Sequence, residues 1–480
     1  MAILAIDQGT SGTKVLIVGS DGHVLARGFA LVELVRLAGG GVECVAEQLW
    51  QSVVDAANMA FSNWSSKGEI IQAVALANQG ESILAWDVDS TEALSPVIIW
   101  QDARSASLCE DRKEKLDMVR ARTGLTLDPY FVAPKMAWLR ANVTRGGVVT
   151  TSDAWLIARL TGAFATDVTT ACRSLAFDLQ RQCWDSELLA MWGLESEQLP
   201  SIVANDVVVG TVGHSELRFL RDVPLAGVIV DQPAALFAQT CLDPGQAKCT
   251  YGTGAFLLAN IGPMMRLSNH GLVTSIAWTV QGTTAHYFDG QVFTAGSAVQ
   301  WLIDNGLLVS PDEIDALPRD TRGVIACPGF AGYGAPRWQP RGTASISGLS
   351  LLSTREEMAR AVVDGVAAQV AELIEAMGSD SLPLQRLRVD GGLTQSATLM
   401  QAQSDLAQLP IDVYPHPDAT AIGAAAMARL ALEPGLRATD AIPSWKAHRT
   451  FEPQWSAARA QDYLGKWREV AAHSLIATDG

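Results

Sequence analysis

The sequence predicts an α/β chain made of two related halves. Three observations carry that prediction: strand-like and helix-like segments alternate through all 480 residues, a Gly/Thr/Ser-rich turn between two apolar strands opens the chain, and the same device returns halfway along it. The first turn is Ala5-Ile6-Asp7-Gln8-Gly9-Thr10-Ser11-Gly12-Thr13-Lys14, running into Val15-Leu16-Ile17-Val18. The second is Lys248-Cys249-Thr250-Tyr251-Gly252-Thr253-Gly254-Ala255-Phe256-Leu257-Leu258. A chain of this length exceeds what one core usually supports, so it is expected to divide, with the boundary near residue 240 giving halves 1–240 and 241–480.

The elements are expected in this order. Residues 1–30 read as a hairpin or short meander, 46–64 as an amphipathic helix, and 71–77 and 97–100 as strands. Helices are expected over 103–122 and 133–142, and the apolar run 226–230 closes the first half. Strands at 247–260 and 273–280 then precede helical segments at 297–308 and 354–377. The last of these has a capping box, Thr354 with Glu357, and Met358, Val362, Val366, Val370, Leu373 and Met377 at helical spacing point to the core. Residues 386–389 read as a strand running into Gly391-Gly392, and 419–430 as a small-residue helix suited to close packing under a bound ligand.

Composition narrows the function classes. With 51 acidic against 35 basic residues and a net charge of −16, no long-range field attracts nucleic acid or an anionic membrane. Seven cysteines without CxxC spacing speak against a zinc site or disulfide framework and for a reducing compartment. No basic leader is visible, and the longer apolar stretches carry a charge or breaker, as Asp231 does within 228–239, so a cytoplasmic protein is expected.

Small residues in the opening turn let backbone N–H groups and hydroxyls approach an anion, and Lys14 closes it with a positive charge. Two such hairpins, one opening each half, are suited to gripping one nucleotide between them. Asp7 fits either a carboxylate holding Mg²⁺ through water or an Asx turn. Asp231 ends a buried strand and opens a helix in Val228-Ile229-Val230-Asp231-Gln232-Pro233, which fits either an N-cap or a reacting carboxylate. Asn78-Gln79-Gly80-Glu81 puts three polar side chains at a strand end, where open α/β sheets bind ligands; a solvated loop is the alternative.

These motifs, together with Asp128-Pro129-Tyr130, residues 295–301 and residues 389–392, occur in the order seen in the FGGY carbohydrate kinases. The chain resembles that family over essentially its whole length, and within it most resembles the glycerol-phosphorylating branch. The resemblance implies two actin-like (ribonuclease H-like) domains around a cleft holding Mg-ATP and a small polyol or sugar. Carried over by position, it makes Asp231 the catalytic base and puts Gly80, Glu81, Tyr130, Asp231, Gln232 and Phe256 around the acceptor. Thr10, Ser11, Gly12 and Lys14 would surround the transferred phosphoryl group, Thr253, Gly296, Gln300, Gly392 and Ser396 the nucleotide, and Asp7 with Asp231 the Mg²⁺ ion. Glycerol stands first as acceptor, a longer polyol or ketopentose such as erythritol or xylulose second. A non-metabolic actin-like ATPase comes third, since such a protein needs no hydroxyl-binding wall. The resemblance leaves open a homodimer or a homotetramer.

The chain also departs from that branch. Gly80 stands where Arg is usual, so a bidentate donor is missing and a larger pocket is expected there. Val230 replaces a common Gly, and Ser396 a usual Asn. Residues 216–225 do not resemble the Gly-Gly-Thr-Arg inhibitor loop of some bacterial members, so allosteric control of that kind is not expected.

Overall fold

The computed structural model describes residues 2–65 and 69–476; residue 1 of the expected first meander lies outside them. Alternating β-branched and aliphatic residues build the first meander, β1 (Ala2–Gly9), β2 (Gly12–Gly19) and β3 (Val24–Leu31), in antiparallel register. Helix α1 (Ala46–Asn63) lays Leu49, Trp50, Val53, Val54, Ala57 and Ala60 against β2 and β3. Strand β4 (Ile71–Asn78) then pairs parallel to β1. Helix α2 (Val132–Asn142) and the single turn α3 (Val168–Ala171) precede β5 (Val208–Thr211) and β6 (Pro224–Val230), and β6 returns parallel to β4. Directly after β6 comes α4 (Asp231–Ala238).

The second half repeats the scheme. Strands β7 (Ala247–Tyr251), β8 (Ala255–Gly262), β9 (Val273–Val280) and β10 (Thr283–Val292) lead to α5 (Gly296–Asp304) and the long α6 (Arg355–Ser379). They are followed by β11 (Leu387–Asp390), α7 (Ala397–Ala407), β12 (Ile411–Val413), α8 (Ala419–Leu432), β13 (Arg449–Phe451) and α9 (Ala457–Ile476). The sheet orders are β5-β6-β4-β1-β2-β3 and β9-β10-β8-β7-β11-β12-β13. In each sheet a first strand pairs antiparallel with the second, the second side continues antiparallel, and two further strands pair parallel on the other flank of the first. The sequence repeat is therefore a structural repeat.

Several expected elements are shorter. The segment 103–122 breaks into Ala106–Glu110, a 3-10 turn at Lys113–Lys115 and Leu116–Thr123. The charged run from Glu110 to Lys115 gives its middle no apolar stripe to bury. Only Val97–Ile98 of residues 97–100 pairs as a strand, because Trp100 is used elsewhere, and the helix at 297–308 ends at Asp304 before Asn305-Gly306. The capping box of α6 is present, with Val362, Val366, Val370, Leu373 and Met377 buried. Among the described residues the seven cysteines are free thiols and no helix is long and apolar enough to cross a membrane.

Helix α8 packs its small residues closely against α4 and strands β1, β4 and β6. Gly423 sits so close to α4 that a Cβ there would lie 2.0 Å from the Ala234 carbonyl oxygen. Gly423→Ala therefore forces the two helices apart and is expected to cost about 1–3 kcal/mol, read as a lower Tm in thermal unfolding. An unchanged Tm would mean that α8 can shift freely on α4.

Candidate active site

Three parallel strands deliver two carboxylates and an amide. Asp7 lies near the end of β1 opposite Ala77, Asn78 ends β4 opposite Val230, and Asp231 follows β6 as the first residue of α4. The Asp231 carboxylate accepts from the backbone N–H of Gln232 at 2.7 Å and caps no deeper N–H, since the cap position of α4 is Val230. The N-cap reading is thus set aside. Asp7 makes no side-chain hydrogen bond among the described residues, which leaves it free of an Asx turn.

Both carboxylates are largely surrounded by protein, although each residue keeps a part-exposed edge. Burial, reinforced by the neighbouring Asp231 and Asp418 charges and opposed by Lys14, pushes Asp7 up to about 7. Burial and the Glu81 charge push Asp231 up to about 6, against the pull of Lys248. These are hard oxygen ligands at one edge of the sheet, close enough for the Asp231 charge to be felt at Asp7. Among the described residues no three or more His, Cys, Asp or Glu side chains form a protein cage for a metal.

The wall beside Asp231 is polar at one end and aromatic at the other. Glu81 has φ +58, a left-handed backbone unusual for Glu, and its buried carboxylate accepts from Arg173 Nε at 2.6 Å. Trp100 stands edge-on to Tyr130 and to Phe256, with ring centroids 5.7 and 5.9 Å apart, so aromatic side chains from both halves meet. Its indole N–H donates to Thr10 Oγ1 at 2.9 Å, tying that wall to the first hairpin turn. Gln232 accepts from the buried Lys248 ammonium, which also donates to Thr250 Oγ1 at 2.8 Å. At Gly80 a Cβ would lie 3.1 Å from Val230 Cγ2 and, among the described residues, meet no other atom within 4 Å beyond its chain neighbours, so the space expected there is narrowed on one side by the valine methyl.

On the other side of the carboxylates, Lys14 is not a freely mobile charge but pairs with Asp418 at 2.9 Å, and Arg27 holds the second oxygen of the same carboxylate. The Thr253 carbonyl accepts from the N–H groups of Ala295 and Ser297, and Gly252 accepts from Gly296 N–H at 2.9 Å, so the second hairpin turn seats on the N-terminus of α5. Gln300 lies on the exposed side of α5 and donates to Asp304. Gly392 opens a 3-10 turn after β11, and the Ser396 hydroxyl is committed to Asp315 at 2.8 Å and to Leu399 N–H at the start of α7. Among the described residues no hydrogen bond joins Gln300 or Ser396 to the carboxylate cluster.

Sequence reasoning gave no role to Trp100, Arg173, Lys248, Asp289 or Asp418. Lys248 was visible at the head of the second hairpin motif. Arg173 and Asp418 carried no signal, because their partners lie 92 and 391 residues away in the chain, at Glu81 and Arg27.

Two repeated sheets with carboxylates at their strand ends, a polar and aromatic wall on one side and two glycine-rich hairpins on the other, define a two-halved phosphotransferase. Residues 2–238 match the N-terminal domain of the FGGY family of carbohydrate kinases and residues 247–432 its C-terminal domain. The chain is 38% identical to a glycerol kinase of Dechloromonas aromatica over 98% of this chain and 97% of that one. It is 38% identical to a glycerol kinase of Thermus brockianus at the same coverage. Plasmodium falciparum glycerol kinase, solved with ADP, superposes with a TM-score of 0.90 at 29% identity, covering 99% of this chain and 98% of that one. A xylulose kinase of Lactobacillus acidophilus shares the fold, with a TM-score of 0.89 at 21% identity over 99% of both chains. The chain belongs to the FGGY family of carbohydrate kinases, and is an enzyme that transfers a phosphoryl group from ATP to an alcohol.

Proposed function

We propose that the protein phosphorylates glycerol to glycerol 3-phosphate with Mg-ATP. The observation that carries this reading is the pairing of identities of 34–39% with glycerol kinases along nearly the whole chain with a wall in which Glu81, Gln232 and Asp231 stand beside aromatic rings. A three-carbon polyol needs hydroxyl partners along one edge and apolar surface along its carbons. Glu81, Gln232 and Asp231 offer the first, and Phe256, Tyr130 and Trp100 the second. Among the described residues the buried Asn78 Oδ1 and Asp289 Oδ1 have no hydrogen-bond partner, so a ligand rich in O–H donors suits this neighbourhood.

In this reading the terminal hydroxyl of glycerol lies against Asp231, which takes its proton as the oxygen attacks the γ-phosphorus and the bond from that phosphorus to the β,γ-bridging oxygen breaks, releasing ADP. Thr10, Ser11 and Gly12 in the first hairpin turn donate to the phosphoryl oxygens. Lys14 exchanges its pairing with Asp418 for the added negative charge. Thr253 and Gly296, with Gly392, Gln300 and Ser396 around the opposite side, hold the rest of the nucleotide. Asp7 and Asp231 fit Mg²⁺, a cation that keeps several waters and takes one or two carboxylates plus phosphate oxygens. When bound, it neutralises phosphate charge. The halves divide near residue 240, and the free thiols suit a cytoplasmic enzyme.

A longer acceptor such as erythritol or xylulose is the second reading, favoured by one feature, the absent side chain at Gly80. ADP release measured over glycerol, erythritol, xylulose, gluconate and ribulose separates them. Glycerol is expected to give the highest kcat/KM; a four- or five-carbon acceptor ahead of it, or ADP release indifferent to every acceptor, would overturn the proposal.

A further inference from the structure

Three carboxylates crowd the acceptor end of the site. Glu81 and Asp289 are buried, and Asp231 lies with them in the same low-dielectric region, where the Glu81 charge is felt by both of the others. Two buried cations answer them. Lys248 serves Gln232 and the Asp390 side; Arg173 serves Glu81 and Asp289. The Arg173 guanidinium donates from Nε to Glu81 Oε1 at 2.6 Å and from Nη1 to Ser275 Oγ at 2.9 Å, and Nη1 lies 2.9 Å from Asp289 Oδ2. It also lies 5.6 Å from the centroid of the Tyr130 ring and 5.2 Å from that of Phe131.

The partners come from different parts of the molecule. Arg173 follows α3 in the first half and Glu81 follows β4, whereas Ser275 is on β9 and Asp289 on β10 of the second half. Glu81 sits on a left-handed backbone, so its carboxylate direction is not fixed by an ordinary strand or helix neighbour. What fixes it is a short, buried ion pair, and that pair is itself anchored across the cleft. A buried guanidinium with both charged partners in place is rigid. Removing one side leaves an uncompensated charge free to reorient.

We infer that Arg173 is a positioning residue that sets acceptor affinity, holding the Glu81 carboxylate against the acceptor's hydroxyls and coupling it to Asp289 and Ser275 in the second half. The inference rests on the acceptor site proposed above, though not on which polyol fills it. In a chain with Gly80 in place of the usual Arg, Arg173 is the guanidinium that the Glu81 carboxylate has to hold it.

The experiment compares wild type, Arg173→Lys, Arg173→Met, Asp289→Asn and Ser275→Ala, using the acceptor that wild type prefers in the polyol and sugar panel. Each variant is first checked for a wild-type Tm. Arg173→Met is expected to raise the acceptor KM by about 10- to 100-fold, the range for losing a hydrogen bond to a charged group. The ATP KM should stay within a few-fold. Arg173→Lys, which keeps the charge but loses the fork, should recover part of the loss. Asp289→Asn and Ser275→Ala, which do not touch Glu81, should raise the acceptor KM to a smaller degree. If Arg173→Met does not fold, the other three variants decide the matter. An acceptor KM unchanged in the folded variants, or acceptor and ATP KM rising together, overturns the inference. A wild type that phosphorylates no polyol or sugar overturns the acceptor site itself, a separate failure visible before any variant is made.

Discussion

Asp231→Asn is expected to lower kcat by about 10² to 10⁴, the usual loss for a positioned general base, while ATP affinity stays within a few-fold. The side chain keeps its shape and still accepts from Gln232 N–H, so binding geometry survives and proton acceptance does not. The pH profile gives a second, independent reading. A base must be ionised, and burial with the Glu81 charge raises Asp231 to about 6. Loss of that charge should therefore cut activity about tenfold per unit below that pH, in addition to the loss from protonating Asp7, which burial raises to about 7. The direction follows from the raised value: an ordinary carboxylate would keep its charge down to about 4. In Asp231→Asn the limb at about 6 should vanish from the residual rate. Turnover near wild type, or a limb at about 6 that persists unchanged in the variant, would remove Asp231 from the role of base.

Much of this arrangement was legible in the sequence because it is written in local patterns. The two hairpin turns are a period-two strand, a run of small residues and a second strand, and they fold as such at Gly9 to Gly12 and Tyr251 to Ala255. Asp7, Asn78 and Asp231 end apolar runs, and parallel pairing of β1, β4 and β6 necessarily brings those ends to one edge. The capping box at Thr354 is likewise a matter of three residues. What could not be read depends on contacts between distant positions. The ion pair of Arg173 with Glu81 and Asp289 joins residues from both halves, and a lone Arg after a Thr-rich segment gives no hint of it. The burial of α8 against α4 and β6 was missed for the same reason: an Ala-rich helix shows that something packs closely on it, but not what.

Gly80 shows how a contact changes the meaning of a substitution. From the sequence, Gly80→Arg should improve glycerol binding by restoring a donor if the site is built for glycerol, or take the room of the extra carbons if it is built for a longer acceptor. In the structure a Cβ at position 80 would meet Val230 Cγ2 at 3.1 Å, closer than a side chain settles without its neighbour yielding. Val230 is buried, and its backbone N–H is fixed to Thr169 Oγ1 at 2.9 Å, so β6 offers little room to yield. Gly80→Arg alone is thus expected to leave kcat/KM for glycerol unchanged or lower. Gly80→Arg with Val230→Ala removes the blocking methyl, and should raise kcat/KM for glycerol at least about tenfold over the single variant, the lower end of what a charge-assisted hydrogen bond contributes. Against erythritol and xylulose both variants should lose activity, since the Arg side chain takes the space their extra carbons need. The measurement is kcat/KM for the three acceptors in wild type, single and double variants. Equal values for single and double variants would show that Val230 does not gate position 80. A double variant that gains on xylulose instead of glycerol would show that the missing Arg is no part of the acceptor's selection, because the added bulk and charge would then favour the acceptor they should exclude.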